Sequence, residues 1–135
     1  MSKPRERWWS FARRMIRDYP ALKRAWNELH TQSVVASMSG MPRGGGNGRT
    51  LESVALRRLP EEDQKDFDAV SRAIEETELM ADGRRHIDLI SLVYWSKRKL
   101  LLKDAATKLH ISEQTAKLWH RDFVRLVGKH RGFKV

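Results

Sequence analysis

Five histidines, seventeen carboxylates and no cysteine are the side chains with which this chain could perform covalent or metal chemistry. Their spacing argues against it. His30, His86, His110, His120 and His130 form no H-E-x-x-H pair, no H-x-E joined to paired cysteines and no Ser/His/Asp set. Without cysteine, disulfides and thiolate metal sites are excluded, and the redox compartment is left open. The acids of "PEED", residues 60–63, could hold a hard cation or act as an acid/base pair. Acids directly after a proline equally suit the positive end of a helix dipole, and no histidine joins them. The Gly-rich "RGGGNGRT" ends like a phosphate-binding loop, but that loop requires G-x-x-x-x-G-K-[ST]. Here Arg49 stands where the lysine belongs, Arg43 occupies the place of the first glycine, and no strand precedes. We therefore expect no enzyme, no catalytic residue, no cofactor and no metal. A nuclease is the enzymatic alternative, and metal-dependent loss of plasmid integrity would revive it.

A different chemistry fits the charge. The net charge is +10, and it is unevenly spread. Residues 1–30 carry eight Lys and Arg against three acids, residues 31–83 six against ten, and residues 84–135 thirteen against four. A basic tail is what phosphate binding needs, since each neutralised phosphate releases counterions. Within that tail, "LKDAATKLHISEQTAKLWHR", residues 102–121, has the parts of a helix-turn-helix. Ala105 and Ala106 allow a close helix crossing, and Leu109 and Ile111 fit beneath the turn. Ser112 is a good N-cap for the second helix, worth about 1 kcal/mol. Ala116, Trp119, Phe123 and Leu126 then continue inward at helical spacing. The outward face is left with Glu113, Gln114, Lys117, Leu118 and Arg121, the face a recognition helix turns to the major groove. Two positions depart from the pattern. His110 occupies the turn position that favours glycine, so it must adopt an unusual backbone or shift the turn, and Ala116 replaces a β-branched anchor.

Roles follow from donor and acceptor chemistry. Gln114 suits adenine, Glu113 can accept from cytosine, and Lys117 and Arg121 can read guanine or hold phosphate. Ser112, Thr115 and Leu118 complete the expected contact face. Lys97, Arg98, Lys99 and Lys103, before or on the first helix of the unit, are placed to grip the DNA backbone. An ordinary helical hairpin with a solvated basic surface is the competing reading.

Helices must position these residues. Trp8, Ala12, Met15 and Tyr19, with Trp9 and Ile16 beside them, form an apolar stripe over residues 4–18, and five arginines fill much of the remainder. Such a stripe could lie on a membrane, but core packing is the commoner use. Pro20 is expected to end this helix and open the next, "PALKRAWNELH". Residues 31–48 read as a Gly/Pro-rich linker. Helical pattern resumes with Leu51, Val54, Ala55 and Leu59, and Pro60 at N1 opens a helix carrying Phe67, Val70 and Ile74. "ADGRR" is a turn. "HIDLISLVYWSK" is apolar on most sides and reads as a central buried helix, with strand the alternative. The expected organisation is thus all-α: a basic amphipathic N-terminal helical arm over 1–30, a linker over 31–48, and a helical bundle over 49–135. The bundle ends in a helix-turn-helix at 100–128. The N-terminus lacks the apolar stretch and cleavage site of a signal peptide. The longest nearly apolar run, "IDLISLVYW", is too short to span a bilayer. A soluble protein with no membrane partner is expected.

"HISEQTAKLWHRDFVRLVGK" resembles the C-terminal helix-turn-helix of the RinA/ArpU-type phage late-gene transcriptional activators, itself similar to sigma-factor region 4. "RDYP" at 17–20, "LESVALRRL", "FDAVSRAIEE" and "LISLVYWSKRKLLLKDAATKLHISEQTA" follow the order of that family, so the resemblance covers nearly the whole chain. The Trp-rich N-terminus and the "RGGGNG" loop are less typical of it. The resemblance implies an all-helical, cytoplasmic protein of a bacterial host cell. It would bind promoter double-stranded DNA and switch on phage structural and packaging genes, with host RNA polymerase as a further partner. The acidic middle is the candidate polymerase surface, unless it folds back on the basic tail. The alternative is a DNA-packaging component such as a small terminase subunit, a homo-oligomer for which residues 50–80 would have to form the ring.

Overall fold

The structure, a computed structural model, describes residues 7–39, the last eight by backbone alone, and 58–135. The described residues form helices joined by short turns and loops, with no strand among them, and the helices pack as a bundle. In chain order they form α1 (Arg7–Ser39), α2 (Glu61–Glu78), α3 (Gly83–Ile90) and its π-helical continuation (Ser91–Trp95), α4 (Leu102–Lys108) and α5 (Glu113–Arg131). The central apolar run is therefore a helix, and the strand alternative falls.

The first helix departs most from expectation. It does not break at Pro20 but runs unbroken through it for 33 residues. An interior proline removes one backbone N–H and crowds the carbonyl four residues back, at a cost of about 3 kcal/mol. That carbonyl belongs to Ile16, and the indole Nε1–H of Trp95 donates to it at 2.7 Å. A side chain 79 positions away thus replaces the bond that Pro20 cannot make. Burial supplies the rest. Ile16 is fully buried, and Met15 nearly so. Each contributes about 2 kcal/mol, enough to offset the proline.

Nor is the first helix an arm beside a separate bundle. Ala12, Met15 and Ile16 share one core with Val70 and Ala73 of α2, Ile90 and Tyr94 of the central segment, and Phe123, Val124 and Val127 of α5. Trp8 and Trp9 pack against that core, the use expected of an apolar stripe in a globular protein. The helix continues to Ser39, nine residues into the expected linker, whose remainder lies outside the described residues. The helix expected over Leu51, Val54 and Ala55 also lies outside them. Arg58 to Pro60 are not helical, and Leu59 is buried with its N–H on Gln64 Oε1 at 3.1 Å. Pro60 takes the N-cap position itself, so α2 begins one residue later than expected.

A smaller second core lies under the C-terminal hairpin. Leu89 of α3, Ala105 and Ala106 of α4 and Ala116 of α5 are buried together, walled by residues that include Ile111 and Trp119. Alanines at the crossing let the two helices approach closely. The first half of α5 therefore belongs to the hairpin and its second half to the main core.

Candidate nucleic-acid interface

The hairpin is built by local rules. At the end of α4, His110 adopts a left-handed conformation, φ 59°, as its position in the turn demands. The N–H of Ile111 bonds the Ala106 carbonyl at 3.0 Å, and that of His110 bonds Thr107 at 3.1 Å, the two-bond closure of a Schellman motif. Arg85 covers another carbonyl of this end, donating from Nη2 to Leu109 O at 2.5 Å. Ser112 then caps α5: its Oγ accepts from the Thr115 N–H at 3.0 Å and donates to Thr115 Oγ1 at 2.9 Å. Beneath the hairpin, Trp119 is half-buried and stacks on His86, with ring centroids 4.0 Å apart. Burial lowers the His86 pKa, although Asp82 and Asp122 pull it the other way.

Glu113, Gln114, Lys117, Leu118 and Arg121 are all exposed, on one side of the first half of α5. Leu118 is 41 % exposed, an apolar surface of the kind that can meet a thymine methyl. Two of the expected DNA-reading cations have acidic neighbours. Lys117 Nζ lies 3.5 Å from Glu113 Oε2, and Arg121 Nη2 lies 3.3 Å from Asp122 Oδ1. Exposed pairs of this kind are worth about 0–1 kcal/mol, so phosphate or a base edge can displace them. Thr115 and Ser112 are spent on the cap.

Lys97, Arg98 and Lys99 are exposed in the loop between the π-helical segment and α4. Three hydrogen bonds fold that loop back: the Leu100 N–H bonds Leu92 O at 3.0 Å, and Ser96 Oγ stands 3.0 Å from Leu92 O and 2.8 Å from Arg98 O. Lys103 is exposed on α4. None of these four cations is paired with a described carboxylate.

An open groove of about 740 Å³ runs beside the hairpin. Lys99, Gln114, Lys117, Leu118 and Arg121 line it, whereas Lys97, Arg98, Lys103, Ser112, Glu113 and Thr115 lie outside it. Its opposite wall is α1, through Trp9, Arg13 and Arg17, and no carboxylate lines it among the described residues. At the floor, Arg13 Nε donates to Tyr94 Oη at 2.8 Å, and His120 Nε2 stands 2.7 Å from the same oxygen. The Tyr94 and His120 rings are stacked, and Trp9 meets His120 edge-on. Burial pushes the Tyr94 phenol up, outweighing the nearby Arg13 guanidinium, so it stays protonated. Comparison with protein-family models, curated proteins and solved structures gives no match for this chain.

Arg13, Arg17, Tyr94 and His120 were not among the expected site residues. Arg13 and Arg17 stand four apart, off the apolar stripe of their helix, and that spacing is the signal the sequence held. What it lacked was the knowledge that α1 lies alongside α5. The acidic middle does fold back in part on the basic tail: Arg131 bonds both Glu62 and, at 2.8 Å, Asp66 of α2. His130 Nε2 stands 3.3 Å from Glu76 Oε1. Glu61, Glu75 and Glu78 remain exposed on α2. No described helix is long and apolar enough to cross a membrane, and no described cluster of His, Asp and Glu has the arrangement to hold a metal ion.

Proposed function

We propose that this chain is a sequence-specific double-stranded DNA-binding protein. On this reading it is a transcriptional regulator of the kind that activates phage late genes. The observation that carries the reading is the exposed face of Gln114, Lys117, Leu118 and Arg121 on a capped helix crossing close over α4, beside a groove lined by cations and by no described carboxylate. A plain helical hairpin needs the alanine crossing and the cap. It does not need a glutamine, a leucine and two cations turned together toward a basic groove. In the proposed complex α5 lies in the major groove, Gln114 contacts a base edge, and Lys97, Arg98, Lys99 and Lys103 hold phosphates. Activation would use the acids of α2 that Arg131 leaves exposed as the surface for host RNA polymerase.

The test is selection from random duplex DNA at about 150 mM salt, where non-specific attraction is weakened. A discrete motif is expected. Gln114→Ala should change the preferred base at one position, costing about 1–3 kcal/mol there, while Lys103→Ala should weaken all sequences alike. Salt-sensitive binding without any motif would reject sequence reading and favour a packaging component. Sizing on DNA then discriminates further, since a ring-sized oligomer is required of a small terminase subunit and not of a regulator.

A further inference from the structure

We propose that α1 is a second DNA-contacting element, with Arg13 and Arg17, joined by Lys99, seating the phosphate strand that borders the major groove occupied by α5. This rests on the duplex-reading role of α5. Three observations carry it. The groove has two basic walls: Arg13 and Arg17 come from α1, and Lys117 and Arg121 from α5, with Lys99 at the loop between. A helix in the major groove is flanked by phosphate strands, so a wall standing beside its reading face meets backbone and not bases.

The two walls also differ in readiness. The cations of α5 have acidic neighbours, Glu113 and Asp122, whereas no described carboxylate pairs with Arg13, Arg17 or Lys99. Arg13 is moreover held in place, its Nε committed to the Tyr94 hydroxyl. A guanidinium has five N–H donors, so four remain on the terminal nitrogens for phosphate oxygens. Holding one edge of a flexible side chain in advance reduces the entropy lost when the other edge binds.

Finally, the wall cannot drift from the reading face. Ala12 and Ile16, one residue before and three after Arg13, are fully buried in the core that also contains Phe123 and Val124 of α5. Arg17 is exposed on the next turn of the same helix.

The experiment compares the wild-type chain with Arg17→Gln/Lys99→Gln, a pair of exposed positions, on the selected duplex and on a scrambled one across a salt series. Arg72→Gln, an exposed cation of α2 outside the groove, controls for net charge. The double variant should weaken both duplexes by the same factor and leave the selected motif intact. The slope of log affinity against log salt should fall by about 2, since each lost phosphate contact removes about 0.9. Arg72→Gln should leave the slope at the wild-type value. An unchanged slope in the double variant overturns the inference, and so does an equal loss per charge removed in Arg72→Gln, which would make the effect one of overall charge. Tighter wild-type binding to the single strand than to the duplex also overturns it. A wild-type chain that selects no motif sinks the duplex-reading role itself. A retained motif with an unaltered double variant sinks the phosphate roles of α1 and Lys99 and leaves base reading by α5 standing.

Discussion

Trp95→Phe isolates the contact that lets the first helix pass through Pro20. The substitution removes the indole N–H from the Ile16 carbonyl and leaves an aromatic ring in place. An orphaned, largely desolvated carbonyl costs about 1–3 kcal/mol, and the smaller ring adds about 1 kcal/mol of lost apolar burial. The single change should therefore destabilise by about 2–4 kcal/mol. That sum alone proves little, because ring loss and bond loss are mixed in it.

Pro20→Ala separates them. Alanine at 20 restores an N–H that reaches the Ile16 carbonyl by the ordinary helical bond, so Trp95 is no longer its only donor. In that background Trp95→Phe should cost only the ring term, about 1 kcal/mol. Pro20→Ala alone should stabilise by about 2 kcal/mol, less than the full cost of an interior proline because the unfolded chain gains freedom. The coupling energy of the cycle is then about 1–3 kcal/mol, the cost of the orphaned carbonyl. Urea unfolding followed by far-ultraviolet circular dichroism gives all four stabilities. If Trp95→Phe costs the same in both backgrounds, within about 0.5 kcal/mol, the indole does not stand in for the missing amide and the account of α1 fails.

Other parts of the scaffold give equally direct outcomes. Gly83→Ala would drive a Cβ into the Thr77 carbonyl oxygen and to within 2.9 Å of Glu78 Cα, both backbone atoms that cannot yield. It should cost about 3 kcal/mol, and a denaturation midpoint close to wild type would refute the tight α2–α3 corner. His110→Gly should relieve the left-handed strain at φ 59°. The expected gain is about 0.5–1 kcal/mol, read as a higher Tm with DNA selection unaltered. His86 is stabilised neutral, so the folded state binds its proton more weakly than the unfolded chain does. Its contribution is complete above the ordinary value of 6.5 and is lost as pH falls through the lowered folded value. His86→Phe should flatten the part of the stability profile that falls as pH drops below 6.5, and an unchanged profile would show that another group titrates there.

What was legible in the sequence is what is local. Ser112, with Thr115 three residues on, announces a cap from residue type alone, and the alanines at 105, 106 and 116 announce a close crossing. His110 at the turn position implied an unusual backbone or a shifted turn, and its backbone is left-handed. Pro20 misled because its compensation is not local: the replacement donor is Trp95, on another helix. The π-helical turn at Ser91–Trp95 was equally hidden. Its bond from Ser96 N–H to Ser91 O at 2.8 Å spans five residues, within a segment that sends Trp95 to α1 and Tyr94 to the groove floor. No periodicity at 3.6 residues per turn reports such a shift. The arginines of α1 were visible as charge and invisible as a wall, since a wall is defined by what stands opposite.

The same long-range contacts tie stability to the proposed function. α5 is one uninterrupted helix with its first half over the small alanine core and its second half in the main core beside α1. Its reading face has no hinge of its own relative to Arg13 and Arg17. Trp95 touches neither the proposed phosphates nor any base, yet it secures the carbonyl at Ile16, one residue from Arg17. Loosening α1 there should blunt the phosphate wall without altering what Gln114 reads. At a temperature where Trp95→Phe is still folded, it should bind selected and scrambled duplexes more weakly by one common factor. A change in the selected motif instead would mean that the two halves of α5 are mechanically coupled to base choice, and the division between wall and reader drawn from the two cores would be wrong.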